Sequence, residues 1–478
     1  MRRLGAGALV VAVTWCSSGC RDNPGFALLP GDPQGETSAS TGDPPAPTGT
    51  STQDPSSTSD GDATATSMVD PTTGDPGDTS SDTTAPAAKC GDGTLDPGEV
   101  CDDGNQIPGD GCDPVICRPL FVPGFSGDFG ELCSALVSGT FDADGVTDLA
   151  VRRPNTPSVH VLQNDGDAAF TDQNHMFTFE IATSALAVQD IDHDGYDDIV
   201  GLQGGGQVYF CRNDHTPDPT YCFMGELVPH PNDFGTVVEG VLQVVDVTDD
   251  SNSDILIATD ARNIGYAAHV TTGVFEPMVS IKLPAKIVAP PTSLAFFRIV
   301  AESDNLDLVV GFGPMPMVGN VSIVPDFLNN ATIATGPYPV GKSASDLAVV
   351  QLGILGDLPD ILSLDEAGKQ LWIVSDSNQA YETQDPPIAV GGVPTRLFPV
   401  ALRGPGKQDI VVLDESSTSL PIVVFDAGEV TQVYKMATGL AAPLVGVAFA
   451  DLDGDSDLDV AALDGACNLS VQLNQTKP

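Results

Sequence analysis

The stretch Asp190-Ile191-Asp192-His193-Asp194-Gly195-Tyr196-Asp197-Asp198 decides the fold. It sets carboxylates at positions 1, 3, 5 and 9, with a glycine at position 6 where the chain must turn sharply. Calcium takes about six to eight oxygen ligands, and alternate residues of a tight loop point their side chains inward. Asp190, Asp192, Asp194 and Asp198 supply carboxylates, and the carbonyl of Tyr196 at position 7 can complete the set. An EF-hand would need Glu at position 12 and flanking helices. Position 12 is Gly201, and Asp198-Ile199-Val200-Gly201-Leu202 reads as a strand. The loop therefore joins strand to strand.

Working outward, the pattern repeats. An apolar run, an acidic or glycine-rich loop and then Asp followed by aliphatic residues recur at Asp148, Asp198, Asp254, Asp307, Asp360, Asp409 and Asp459. Successive spacings are 50, 56, 53, 53, 49 and 50 residues. Within one repeat the strands are Ala185–Gln189, Asp198–Leu202, Gln207–Phe210 and a fourth before the next repeat. Fifty residues with four strands make one propeller blade, and a closed ring of seven protects the sheet edges. The expected fold is all-β, a seven-bladed propeller over residues 119–478. After Asp459 only Val460–Leu463 and Leu469–Leu473 remain, so the last blade lacks a strand. The unassigned stretch Pro119–Phe125 is expected to complete it and latch the ring.

Three further loops carry ligand sets. Asp451, Asp453, Asp455, Asp457 and Asp459 form one of equal quality. Asp246, Thr248, Asp250, Asn252 and Asp254 form another, with Thr248 as a substitute oxygen. Asp142, Asp144 and Asp148 form an incomplete one, headed by Thr140. Together these resemble the calcium repeats of FG-GAP or VCBS repeat proteins and of the integrin α-subunit head. The resemblance implies three to four calcium ions in a mainly structural role, since grouped carboxylates repel when empty. The loops before Asp307, Asp360 and Asp409 lack the early ligands, and Lys407 would repel a cation. Their aspartates are expected to cap turns by accepting backbone N–H groups.

Upstream the texture changes. Residues 1–20 read as an export signal: Arg2 and Arg3, an apolar core from Leu4 to Thr14, then Ser17-Ser18-Gly19-Cys20. Small residues before a cysteine resemble a bacterial lipoprotein box, which places lipid on Cys20. Ser17 stands where that box has an aliphatic residue, so ordinary cleavage and free secretion is the alternative. Residues 21–89 are a Thr/Ser/Pro/Asp-rich tract with too few apolar groups to fold, a spacer in character. Residues 90–118 hold Cys90, Cys101, Cys112 and Cys117 in CGDG, CDDGN and GDGC blocks. They resemble a short disulfide-rich repeat common in myxobacterial surface proteins, with its connectivity open. Further along, Cys211 and Cys222 flank one excursion and are expected to pair, and Cys133 and Cys467 would meet across the latched seam.

Composition narrows the function. Sixty-six acidic against 19 basic residues give a formal net charge of −47 over 478 residues. That excludes nucleic acid and an anionic lipid surface as partners, because both need clustered Lys and Arg. No stretch approaches the length of a membrane span, so any attachment is by lipid. Neither a Gly-x-Ser-x-Gly elbow, a His-Glu-x-x-His pair nor a phosphate loop is present, and the six histidines are scattered. The expectation is a non-enzymatic binding or adhesion module at the cell surface, for a protein or polysaccharide. The alternative is an extracellular propeller enzyme, a lyase or hydrolase on carbohydrate, with structural calcium.

Overall fold

The computed structural model describes Asp92, Cys112 and residues 120–475, apart from 131, 155, 204–205, 214–219, 224, 231–235, 272, 299–305, 314–317, 353–357, 378–379, 405–406 and 427. The expected signal, Cys20, the spacer and most of the 90–118 module, including Cys90, Cys101 and Cys117, lie outside the described residues. Cys112 is buried and disulfide-bonded.

Seven antiparallel sheets form seven blades. Their innermost strands are Ala135–Gly139, Thr183–Gln189, Val237–Val245, Pro291–Phe297, Asp346–Val350, Pro394–Val400 and Leu444–Ala450, in blades 1 to 7. Every second strand begins with one of the seven anchor aspartates, from Asp148–Arg152 in blade 1 to Asp459–Asp464 in blade 7. The aspartate loops are thus the turns between first and second strands, all at one end of the blades. Consecutive inner strands of blades 1 to 6 are neighbours, and Leu444–Ala450 packs against both Ala135–Gly139 and the second strand of blade 6, Asp409–Asp414.

Alternation explains why the sheets stack in a ring. In Asp148–Arg152 the side chains of Leu149 and Val151 join Ala461 and Leu463 of blade 7, while Ala150 joins Leu186 and Ile199 of blade 2. Successive strand residues point to opposite faces, and here both faces are covered. The second strands are therefore buried throughout. Seven apolar clusters result, each shared by two adjacent blades.

The ring closes as the residue count implied. Phe121–Asp128 adds to the free edge of Asn468–Asn474, making the fourth strand of blade 7. Cys133, just before blade 1, is bonded to Cys467, in a turn of blade 7. Phe129 and Cys133 also donate backbone N–H groups to the carbonyls of Cys467 and Gly465.

Three details differ from a uniform four-stranded scheme. In blade 5, Ile388–Ala389 pairs with Gln370–Ser377 as a fifth strand. Thr220–Phe223, within the excursion of blade 2, pairs in parallel with the outer strand of blade 1, Phe170–Thr178, and gives that sheet a fifth strand. The Cys211–Cys222 bond therefore ties blade 2 to a strand lying on blade 1. In blade 3, His269–Thr271 and Val274–Phe275 form a separate small hairpin.

Candidate metal centres

The blade 2 loop is shaped by its own carboxylates. Asp190 accepts the N–H groups of Asp194 and Gly195, each at 3.1 Å, which folds positions 5 and 6 back over position 1. The reversal needs left-handed backbone at His193 (φ 60°) and Gly195 (φ 96°), and the latter is easy only for glycine. One oxygen each from Asp190, Asp192 and Asp198 then lies within 4.8 Å of the others. Asp192 is nearly buried; its Oδ2 faces Arg212 Nε at 3.4 Å, and its Oδ1 is buried without a hydrogen-bond partner among the described residues. Burial pushes Asp198 up to about 8, with the donors Asn213 and Ile191 pulling it down and the Asp192 and Asp194 charges adding to the rise. Asp190 and Asp194 are also raised, chiefly by burial. Convergent hard oxygens, one of them orphaned, fit a calcium-type cation.

Blade 7 repeats the arrangement. Asp451 accepts Gly454 and Ser456 N–H at 2.8 and 3.0 Å, and oxygens of Asp451, Asp453 and Asp459 converge within 4.8 Å. Asp455 accepts the N–H of Asp457, whose own Oδ1 is buried without a hydrogen-bond partner among the described residues. Burial and the neighbouring Asp455 push Asp457 up to about 8.

The other two loops are weaker. Asp246 accepts Asp250 and Ser251 N–H, so blade 3 has the same turn. Thr248 donates to Asp246 and Asn252 to Asp250, and among the described residues Asp246, Asp250 and Asp254 do not form a three-carboxylate cluster. In blade 1, Asp142 and Asp144 accept N–H groups two residues on, and Gln163 donates to Asp142 at 2.8 Å. No three-carboxylate cluster forms there among the described residues either. Thr140, at the first position, is held instead from blade 2, with its N–H donating to Asp197 Oδ2 at 2.7 Å.

The position 9 aspartate has a role that is independent of metal. In blades 1, 2, 3 and 7 it accepts one N–H from loop position 2 and one from the end of the third strand. For Asp198 these are Ile191 at 2.9 Å and Asn213 at 2.7 Å; for Asp459, Leu452 at 2.9 Å and Asn474 at 2.8 Å. Asp360 accepts Leu352 N–H from the loop before it, the turn-capping expected where other ligands are missing, and Asp307 accepts Asp326 N–H from just past the third strand.

Blade 6 holds a residue that the sequence reading passed over. Arg403 stands six positions before Asp409, as Asp192 does before Asp198 and Asp453 before Asp459. Its Nε donates to Asp409 Oδ1 at 2.8 Å and its Nη2 to the Phe425 carbonyl at 2.6 Å, with the two side chains 6% and 1% exposed. A guanidinium thus sits where a ligand side chain would be. Lys407 turns outward to the exposed Asp426 at 2.9 Å. Also unforeseen were Asn164, Asn213 and Asn474, whose signal is an asparagine 15 or 16 residues after the anchor aspartate in blades 1, 2 and 7.

Seven blades latched by an N-terminal strand, with aspartate loops between first and second strands, define a seven-bladed β-propeller of the aspartate-loop repeat type. Residues 141–201, from the blade 1 loop into the second strand of blade 2, match the FG-GAP-like repeat family. No curated protein matches the chain. Among solved structures, the chain is similar to the crystal structure of BBS1N in complex with ARL6DN, soaked with mercury. There the TM-score is 0.48 at 9% identity, covering 75% of this chain and 99% of that one. The lead-soaked crystal of the same complex gives a TM-score of 0.49 at 9% identity, covering 76% and 99%.

Proposed function

We propose that this chain is an exported, lipid-anchored protein of the cell envelope whose calcium-stabilised propeller binds another surface protein or a polysaccharide. The propeller fold is consistent with a binding module. The observation that carries the calcium part is the convergence of Asp190, Asp192 and Asp198, with a buried Asp192 oxygen that has no hydrogen-bond partner among the described residues. Asp190, Asp192, Asp194, Asp198 and the Tyr196 carbonyl would hold the ion in blade 2; Asp451, Asp453, Asp455 and Asp459 would do so in blade 7. Calcium supplies charge neutralisation there. Since the loops join the first two strands of their blades, that neutralisation acts on blade geometry and leaves the rest of the surface to the partner.

The export signal and Cys20 support the anchoring part. Cys20→Ser should move the protein from the membrane fraction to the medium, and unchanged fractionation would contradict the anchor. For the binding part, purified full-length protein is applied to arrays of glycans and of envelope proteins with calcium or with chelator. Saturable, calcium-dependent binding is expected; none on either array would count against the module.

A further inference from the structure

We propose that the loops of blades 7, 1 and 2 form one coupled unit, joined by Asn164 and Asn213, so that a cation held in blade 7 strengthens cation binding in blade 2. This rests on the cation reading of those two loops. The connection can be followed bond by bond. The Leu452 carbonyl, one residue after Asp451, accepts Asn164 Nδ2 at 2.9 Å. Asn164 in turn donates its backbone N–H to Asp148 Oδ1 at 2.9 Å, and the other oxygen of Asp148 accepts Phe141 N–H at 3.4 Å. The Phe141 carbonyl accepts Asn213 Nδ2 at 2.8 Å. Finally Asn213 N–H donates to Asp198 at 2.7 Å, whose second oxygen accepts Ile191 N–H, next to Asp190.

A parallel link joins the same two blades directly: Thr140 and Asp197 exchange backbone donors, the return bond running from Asp197 N–H to the Thr140 carbonyl at 2.8 Å. Asn164, Asn213, Asp148 and Asp198 are all fully buried, so water cannot substitute for a partner that moves away. Each asparagine fixes the carbonyl at position 2 of the preceding blade's loop, beside its first ligand position. Reorienting one loop therefore strains the next.

Blade 3 shows where the chain stops. The corresponding residue is His269, whose N–H still donates to Asp254 at 3.0 Å. Its ring Nε2 accepts Gly273 N–H within its own hairpin, and its Nδ1 has no hydrogen-bond partner among the described residues. The asparagine-to-carbonyl chain stops there, although blade 3 touches the blade 2 loop by other contacts: His269 stacks on His193 with ring centroids 6.5 Å apart, and Arg212, paired with Asp192, donates to the Gly273 carbonyl at 3.3 Å.

Terbium luminescence reads the blade 2 loop through Tyr196; the blade 7 loop contains no aromatic residue, and Tyr266 lies near Asp246, Asp250 and Asp254 of blade 3. In the full chain carrying Asp246→Ala, which removes the blade 3 signal, a further Asp453→Ala should weaken terbium binding at blade 2 by about five-fold or more. In an Asn164→Ala background, where the Ala168 N–H still holds the Leu452 carbonyl, Asp453→Ala should have a clearly smaller effect. Hydrogen exchange of the unsubstituted chain during terbium titration needs no variant: residues 451–459, 140–148 and 190–198 should gain protection at one shared midpoint. Separate midpoints, or luminescence indifferent to Asp453→Ala, would overturn the coupling and leave the cation sites standing. No tyrosine-sensitised luminescence at all would overturn both.

Discussion

Replacing Arg403 with Met tests whether blade 6 carries its own cation. The substitution keeps most of the side chain's volume and removes its charge. It leaves Asp409, 1% exposed, without the guanidinium 2.8 Å away, and it frees the Phe425 carbonyl. Breaking a buried ion pair by removing one partner costs about 3–5 kcal/mol, a large share of the roughly 5–15 kcal/mol that holds a typical protein folded. Burial already raises the Asp409 carboxyl and Arg403 opposes that rise, so the variant's carboxyl should move further up. A group whose folded pKa lies above its unfolded value loses stabilisation as pH rises between the two. The deficit should therefore be greater at pH 8 than at pH 5. Urea unfolding is the assay, run on Arg403→Met, Asp409→Asn and the double variant, each with calcium and with chelator. The double variant should lose less than the sum of the singles by about 1–3 kcal/mol. Calcium should not restore Arg403→Met, because Ala401, Pro405 and Lys407 offer no ligands at the other side-chain positions. A loss below about 1 kcal/mol for this buried pair, or rescue by calcium, would refute the assignment.

The aspartate loops predict a pH dependence of the opposite kind for cation binding. In the cation-free chain Asp148 and Asp198 are pushed up to about 8, and Asp254 and Asp459 to about 6, mainly by burial. That chain should lose stability as pH rises from about 4 to 8, while calcium binding needs the deprotonated forms and gains. The calcium-induced rise in melting temperature should be larger at pH 8 than at pH 5, and calorimetry near pH 6 should show proton release as buffer-dependent heat; equal shifts at both pH values would contradict this. At the seam, Cys467→Ser opens a link between residues 334 apart in sequence. Chain entropy alone puts its loss at about 4–6 kcal/mol, measured by denaturant unfolding, and a loss near zero would mean that the latch strand alone holds the ring. Asp307→Ala removes a staple from a blade assigned no metal, including its 2.7 Å bond from Asp326 N–H. It should destabilise by about 1–3 kcal/mol, equally with calcium and with chelator.

The ring was legible because its strongest sequence signal is tied to backbone chemistry. An aspartate heads every second strand, and in blades 1, 2, 3 and 7 it joins the loop to the end of the third strand. It persists in blades 4, 5 and 6, where the other ligands are gone, so spacing alone revealed seven repeats. The latch followed from counting: Val460–Leu463 and Leu469–Leu473 are two strands where three were needed. The convergence of three carboxylates was legible in blades 2 and 7, where aspartates fill positions 1, 3, 5 and 9 of the loop. In blades 1 and 3 spacing does not reveal that Gln163 donates to Asp142, or that Thr248 and Asn252 bond to neighbouring aspartates. Arg403 was passed over because Lys407 lies closer in sequence to Asp409, although its ammonium reaches outward. Contacts between blades, such as Asn164 on Leu452 and Thr220–Phe223 on the edge of blade 1, join residues whose proximity only the closed ring creates.

The central claim is that the loops of blades 2 and 7 hold calcium and that the propeller depends on it. The most direct measurement is thermal unfolding of the full chain with calcium and with chelator, for the native sequence, Asp192→Ala, Asp453→Ala and the double variant. The account predicts a calcium-dependent rise of many degrees in the native protein, reduced by each single substitution and nearly abolished by both. Superimposable native curves with and without calcium, or an undiminished rise in the double variant, would contradict it.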